Sequence, residues 1–248
     1  KEVTPFHMKW EEEGIVPRDL WRKAGEQGLL GMTMPEEYGG AGADFLYSAI
    51  LIVEQGRALA SGPAFSLHND IVVPYLLHYG NEEQKKKWLP KTCSGEMVTA
   101  IAMTEPGTGS DLQSVKTTAV MDGNHWVING SKTFISNGQL ADLVIVVAKT
   151  DPKLGAKGTS LIAVETKTEG FKRGRNLEKI GMKAQDTSEL FCKRTRLSCR
   201  AKIWFGDNFH QRRSCAVVVT ERMICSMHQF SCIVLDVQSM DATFRRLT

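Results

Sequence analysis

The sequence predicts an α+β fold: a helical N-terminal domain, then an antiparallel β-barrel or sandwich, then the start of a divergent C-terminal helical segment. Three observations carry this expectation. Residues 1 to 92 place apolar side chains at helical spacing. From residue 97 the period shortens to that of strands, punctuated by Asp122-Gly123, Asn129-Gly130 and Asn137-Gly138. Such dipeptides tolerate the positive φ of hairpin turns. From residue 193 the composition changes. The domains are accordingly set at residues 1–96, 97–200 and 201–248.

Within the helical part, Val16-Pro17-Arg18-Asp19 opens a segment whose Leu20, Trp21, Ala24, Leu29 and Leu30 share one apolar face, ending near Gly31. After the turn-rich 35–43 stretch, a longer helix is expected from Asp44 to about Ala60. It is apolar almost all round, which predicts burial. Asn81-Glu-Glu-Gln84 has the form of a capping box and starts a helix bearing Lys85, Lys86 and Lys87. Six short strands are expected at 97–103, 115–121, 126–128, 132–136, 143–148 and 160–164. No strand–helix alternation occurs, which argues against a doubly wound sheet.

Composition excludes several classes. No window approaches the ~18 apolar residues of a membrane-spanning helix. The opening residues have no signal-peptide core and read like the middle of a longer polypeptide. The lysines at 85–87 read as a solvated helix face, so no nucleic-acid partner is expected. The six cysteines show neither C-x-x-C spacing nor a following His pair, so no metal site is expected. The net charge of +3 conceals a skew: residues 193–248 carry ten Lys or Arg against four Asp or Glu, and five of the six cysteines lie from 192 onward.

The informative stretch is Ile101-Ala-Met-Thr-Glu-Pro-Gly-Thr-Gly-Ser-Asp111. A strand ends there in a turn rich in glycine and hydroxyl residues. Glycines allow close ligand approach, and successive amide N–H groups form an anion-binding concavity. Gly107-Thr-Gly109 superficially opens a dinucleotide fingerprint, but Leu112 occupies the third glycine position and strand pattern follows. From these residues alone, a surface loop and a cofactor loop both remain open.

Thr104-Glu-Pro-Gly-Thr-Gly-Ser-Asp111 resembles the signature of the acyl-CoA dehydrogenase family, with Asn129-Gly-Ser-Lys-Thr-Phe-Ile-Ser-Asn137 at the family's spacing. Gly28-Leu-Leu-Gly31, Glu37-Tyr-Gly-Gly40, Gly80-Asn-Glu-Glu-Gln84 and Lys179-Ile-Gly-Met-Lys-Ala-Gln-Asp-Thr187 resemble further family landmarks. The last is nearest to the long-chain mitochondrial branch. The resemblance covers residues 1 to 192. It implies an FAD enzyme of the mitochondrial matrix that removes an α-proton and a β-hydride from a long-chain fatty acyl-CoA. The product is a trans-2-enoyl-CoA, electrons pass to electron-transfer flavoprotein, and the full-length family forms homotetramers. The implied chemistry develops negative charge at the pyrimidine end of the flavin, where preorganised hydroxyl and amide donors stabilise it.

Carried over residue by residue, the resemblance assigns Thr104 to that end of the ring and Ser136 as a hydroxyl donor to the flavin. Phe134, where many members carry Trp, and Ile135 form a wall on the ring. Ile101, Ala102 and Met103 lead into the turn, and Glu105, Pro106, Gly107, Thr108, Gly109 and Ser110 complete the implied flavin contacts. Ser110 is shared with the substrate side, to which Ala156 and Lys157 also belong.

The family pattern lapses after residue 192. The α-proton must be taken by a carboxylate within hydrogen-bond reach. The segment expected to supply a Glu reads Val234-Leu-Asp-Val-Gln-Ser-Met240, where Asp236 is the sole and poorly matched carboxylate. The alternatives to a dehydrogenase are an incomplete, inactive relic that binds CoA thioester or a partner, and an acyl-CoA oxidase. Losing a positioned general base removes about 10²–10⁴-fold in rate. The 248-residue chain, given FAD, a long-chain acyl-CoA and an artificial electron acceptor, is therefore expected not to dehydrogenate it at a useful rate. A rate of a few per second would contradict this (order of magnitude,).

Overall fold

Each helix begins and ends where the local chemistry requires, in the computed structural model, which describes residues 2–204. Helix α1 (His7–Glu13) stops at Gly14, whose φ is 72°. Helix α2 (Arg18–Glu26) follows Pro17 and buries Leu20, Trp21 and Ala24. It ends before the expected Gly31, because Gly28 turns left-handed; Leu30 still reaches the core as part of the following turn. Helix α3 (Phe45–Arg57) is capped by Asp44, whose carboxylate accepts from the Leu46 N–H at 2.7 Å. Helix α4 (Val73–Tyr79) continues a π-helical stretch, Leu67–Val72. Helix α5 (Glu82–Cys93) carries the expected capping box, with Gln84 N–H donating to Asn81 and Asn81 N–H to Gln84, both at 2.9 Å.

Helix α3 corrects the expectation of burial. Only Ser48 and Ala49 are buried, whereas Leu46, Tyr47 and Ile50 are more than half exposed. Its apolar outer face has no cover among the described residues.

The β-part is one eight-stranded sheet: β1 (Thr99–Ala102), β2 (Thr118–Asp122), β3 (His125–Ser136), β4 (Leu143–Lys149), β5 (Thr159–Glu165), β6 (Phe171–Asn176), β7 (Thr187–Ser198) and β8 (Lys202–Trp204). The order is β6-β7-β3-β2-β4-β5-β8, with β1 added beside β4. Pairing is mainly antiparallel, but β1 runs parallel to β4, and β2 touches β4 through one parallel bridge. Gly123, at φ 58°, makes the expected β2–β3 hairpin turn.

Asn129-Gly130 is not a turn. It lies inside β3, at a register shift against β7, and the two expected strands 126–128 and 132–136 are one. A Cβ at Gly130 would overlap the Thr117 side chain, so glycine there makes room for it. The start of the basic segment after residue 192 lies in β7, inside the expected 97–200 β-domain though past the last expected strand. Strand β8 falls where a helical segment is expected from 201. Cys192, Thr195 and Leu197 point inward, alternating with exposed Arg196 and Ser198. Ile203 of β8 joins the core. Asp236 lies outside the described residues.

Every residue from Leu143 to Ala148 is buried because β4 has apolar neighbours on both faces. Leu143, Ile145 and Val147 pack with Leu76, Trp88 and Leu89 of α4 and α5. Val144, Val146 and Ala148 pack with Ala119, Ile128, Ile162 and Val164 inside the curled sheet. Each buried aliphatic side chain stabilises by about 1.5–3 kcal/mol.

Polar contacts fix the helices against the sheet. Glu11 accepts from the N–H groups of Lys183 and Ala184, both at 2.9 Å, and Arg18 pairs with Asp142. His68, fully buried, links α5 to β1. Its Nδ1 accepts from the Thr99 N–H at 3.2 Å, which leaves Nε2–H to donate to the Thr92 carbonyl at 3.1 Å.

Burial pushes the His68 pKa down from 6.5 to about 4. Below 6.5 the unfolded chain therefore takes up the proton first, so His68's contribution is complete above pH 6.5 and falls toward pH 4. Between pH 7 and pH 5 the loss is about 2 kcal/mol. Asp70 acts in the opposite sense, since burial raises its carboxyl to about 6 and protonation then favours the fold. The substitution His68→Gln isolates the first effect. It is expected to destabilise at pH 7, with the gap to the unsubstituted chain narrowing by about 2 kcal/mol at pH 5 in urea unfolding. A pH-independent gap would contradict it.

Candidate functional site

The site is built where the turn after β1 meets the C-terminal half of β3. Residues 104–110 leave the sheet in a tight loop closed by two backbone bonds, Glu105 N–H to Thr108 O at 2.9 Å and the reverse at 3.0 Å. Thr108 donates its hydroxyl to the Ser114 carbonyl, and Asp111 caps the Leu112–Ser114 turn. The turn is joined to β3 by the Thr133 N–H, which donates to the Thr104 carbonyl at 3.0 Å. Ser136 is three residues farther along β3.

Beneath this junction lies a buried ion pair. Lys132 Nζ donates to Glu105 Oε1 at 2.8 Å and to the Met103 carbonyl at 3.0 Å. The Glu105 carboxylate also accepts from Lys116 N–H at 2.6 Å and Thr117 N–H at 2.9 Å. The side chains of Lys132 and Glu105 are 2% and 5% exposed, so the pair is fully internal. Burial pushes the Glu105 carboxyl up, but Lys132 and the two amides outweigh it and hold it below the usual range. The same burial lowers the Lys132 ammonium, against the pull of Glu105. An ionised Glu105 with three donors accounts for the lowered carboxyl.

Between Lys132 and Ile135 the β3–β7 register slips. Phe134 occupies the slip with φ 57°, an unusual conformation for an aromatic residue, and is 67% exposed. Ser136 is half-buried, and the chain then turns at Asn137, which is itself buried with φ 61°. Asn137 N–H donates to the Asp186 carbonyl at 3.0 Å, and Nδ2 to the Thr99 carbonyl at 3.2 Å. Burial raises the Asp186 carboxyl, which accepts from the Gln139 N–H at 2.6 Å. Ser136 is therefore held from both sides along the strand.

The expected site residues divide into two groups. Thr104, Ser110 and Ser136 present hydroxyls with no partner among the described residues, Phe134 presents an uncovered ring, and Pro106, Gly107 and Gly109 line the exposed turn. Gly107 and Gly109 have no positive φ, and a Cβ on either would meet nothing within 4 Å. The fold therefore does not require glycine at either position. Ile101, Ala102 and Met103 are buried in the core, so only their backbone can face a ligand. Ile135 corrects the expected wall, because it is 2% exposed and packs in the sheet interior. The Glu105 carboxylate is engaged by protein donors. Ala156 and Lys157 lie in the Pro152–Gly158 segment, which packs against the Leu112–Ser114 turn.

A planar ring with polar edges and an anionic tail suits this arrangement: an exposed aromatic edge, three unengaged hydroxyls and an open glycine turn. A flavin has that form. Sequence reasoning missed Lys132 as part of the site, since its pairing joins residues 27 apart. The available signal was a lysine at an inward strand position between Gly130 and Ile135.

If Gly107 serves a ligand and not the fold, Gly107→Ala is expected to keep or raise stability by about 0.4–1 kcal/mol, through lower unfolded-state entropy. Urea unfolding of the ligand-free chain measures this, and a loss above about 1 kcal/mol would contradict it.

Residues 1–96 match the acyl-CoA dehydrogenase N-terminal domain, and residues 100–195 the acyl-CoA dehydrogenase middle domain. The chain is 53% identical over 203 residues to the mitochondrial long-chain specific acyl-CoA dehydrogenase of Sus scrofa, covering 81% of this chain and 47% of that protein. A solved acyl-CoA dehydrogenase from Geobacillus kaustophilus superposes with a TM-score of 0.81 at 51% identity, over 83% of this chain and 55% of that one. A glutaryl-CoA dehydrogenase from Mycobacterium smegmatis, solved in complex with FADH2, superposes at 0.76 and 32% identity, over 83% and 52%. The chain thus spans about half the length of the curated relatives it matches. With both domains matched in order and identity above one half to a relative, the chain belongs to the acyl-CoA dehydrogenase family, whose members are FAD-dependent oxidoreductases.

Proposed function

We propose that the 104–110 turn and the 134–136 segment of β3 form the flavin-facing wall of an FAD-dependent dehydrogenase acting on a long-chain fatty acyl-CoA. The observation that carries this reading is the backbone bond from Thr133 N–H to Thr104 O, which joins the 104–110 turn to β3 just before the exposed Phe134 and the half-buried Ser136. Bound FAD supplies the two-electron acceptor. The chain's own part is to hold it. Phe134 covers one face of the ring, Thr104 and Ser136 donate hydrogen bonds to its polar edge, and the open turn at Gly107 and Gly109 admits close approach of an anionic group. Ser110 serves flavin and substrate sides together in this reading, with Ala156 and Lys157 on the substrate side; the contact of the Pro152–Gly158 segment with the Leu112–Ser114 turn supports it.

The long-chain preference rests on identity to the long-chain specific relative. Domain limits of 1–96, 97–200 and 201–248, a mitochondrial-matrix location, electron-transfer flavoprotein as acceptor and a homotetrameric assembly belong to the same reading. The base that takes the α-proton has no candidate among the described residues.

Titrating FAD with the 248-residue chain is expected to quench flavin fluorescence saturably. Ser136→Ala and Gly107→Ala should each weaken that binding by about two- to tenfold, the worth of one hydrogen bond or one close approach. No binding at millimolar FAD, or variants that bind as the parent does, would overturn the assignment (concentration scale,).

A further inference from the structure

The two halves of the flavin wall belong to different segments and share one backbone bond, from Thr133 N–H to Thr104 O. What holds them in register is the internal pair below them. Lys132 reaches out of β3 to the Met103 carbonyl and the Glu105 carboxylate, on either side of Thr104. Glu105 in turn gathers the amides of Lys116 and Thr117, which close the far end of the 104–117 loop. The Thr117 carbonyl then accepts from Lys149 N–H at 2.8 Å, tying the loop to the end of β4. Two residues beyond Lys132 stands Phe134, in its left-handed conformation at the register slip. Such backbone persists only where its surroundings over-determine it.

A buried ion pair is weak evidence for stability, because desolvation offsets much of the attraction. A role in specifying geometry is a separate matter. We infer that Lys132 and Glu105 are positioning residues: together they set the Thr104 turn against the Phe134–Ser136 segment at the spacing a bound flavin requires. This rests on the flavin reading above. Losing the placement of one or two hydrogen-bonding groups costs on the order of tenfold in affinity.

The test compares Lys132→Met and the nearly isosteric Glu105→Gln with Leu89→Ala, a core substitution in α5 remote from the site. The full 248-residue chain is used throughout. Two readouts are taken where all variants are folded: the FAD dissociation constant, and amide hydrogen exchange at Thr133, whose N–H reports the bond to Thr104. Both pair variants should raise exchange at Thr133 and the FAD dissociation constant by about tenfold. Leu89→Ala should lower the melting temperature and leave both readouts near the parent values. Should Lys132→Met fail to fold, Glu105→Gln decides. Parent-like values in the pair variants, or equal changes in Leu89→Ala, would overturn the inference. A parent chain that binds no FAD would sink the flavin reading, and exchange at Thr133 would still decide the positioning role.

Discussion

One buried ion pair organises the part of this molecule that matters most. Lys132 and Glu105 come from a strand and a turn far apart in sequence, and neither has solvent to compensate it. Removing either partner leaves the other charged and buried, which is strongly destabilising. The pair therefore constrains the chain at a place where hydrophobic packing alone would not specify geometry. Around it, the turn at 104–110 projects outward with its glycines open, and β3 presents Phe134 and Ser136 beyond the register slip. The apolar sheet interior supplies stability, and the internal charges supply register.

The same division of labour appears between the helices and the sheet. Helices α4 and α5 bury Leu76, Trp88 and Leu89 against β4 and so provide the bulk of the contact. Direction comes from polar groups: His68 between Thr92 and Thr99, Glu11 on the Lys183 and Ala184 amides, and Arg18 on Asp142. His68 and Glu11 pair with backbone groups, whereas Arg18 and Asp142 pair side chain to side chain. The loop ahead of β7 and the turn after β3 are thereby fixed to the helical layer, which steadies Asn137 and Ser136.

Much of this was legible in the sequence wherever the signal was local. The Asn81 capping box and the Asp122-Gly123 hairpin need only their own neighbours, and both formed as expected. The failures are tertiary. Asn129-Gly130 carries a turn dipeptide, yet β7 pairs with β3 on both sides of it and draws it into a bulge. The basic run after Cys192 masked a strand, because its cations occupy the exposed positions of an alternating pattern. Helix α3 was expected to be buried from its composition, but no described element covers Leu46, Tyr47 and Ile50. At the site, resemblance placed Thr104, Phe134 and Ser136 together, whereas Ile135 followed strand alternation into the core.

The central claim is that Thr104, Phe134 and Ser136 face one flavin ring. A crystal structure of the 248-residue chain grown with FAD tests this most directly. The account predicts the ring stacked on Phe134 within about 4 Å, with the Thr104 and Ser136 hydroxyls at hydrogen-bond distance from its polar edge. Density for the ring elsewhere on the surface, with those hydroxyls still facing solvent, would contradict it.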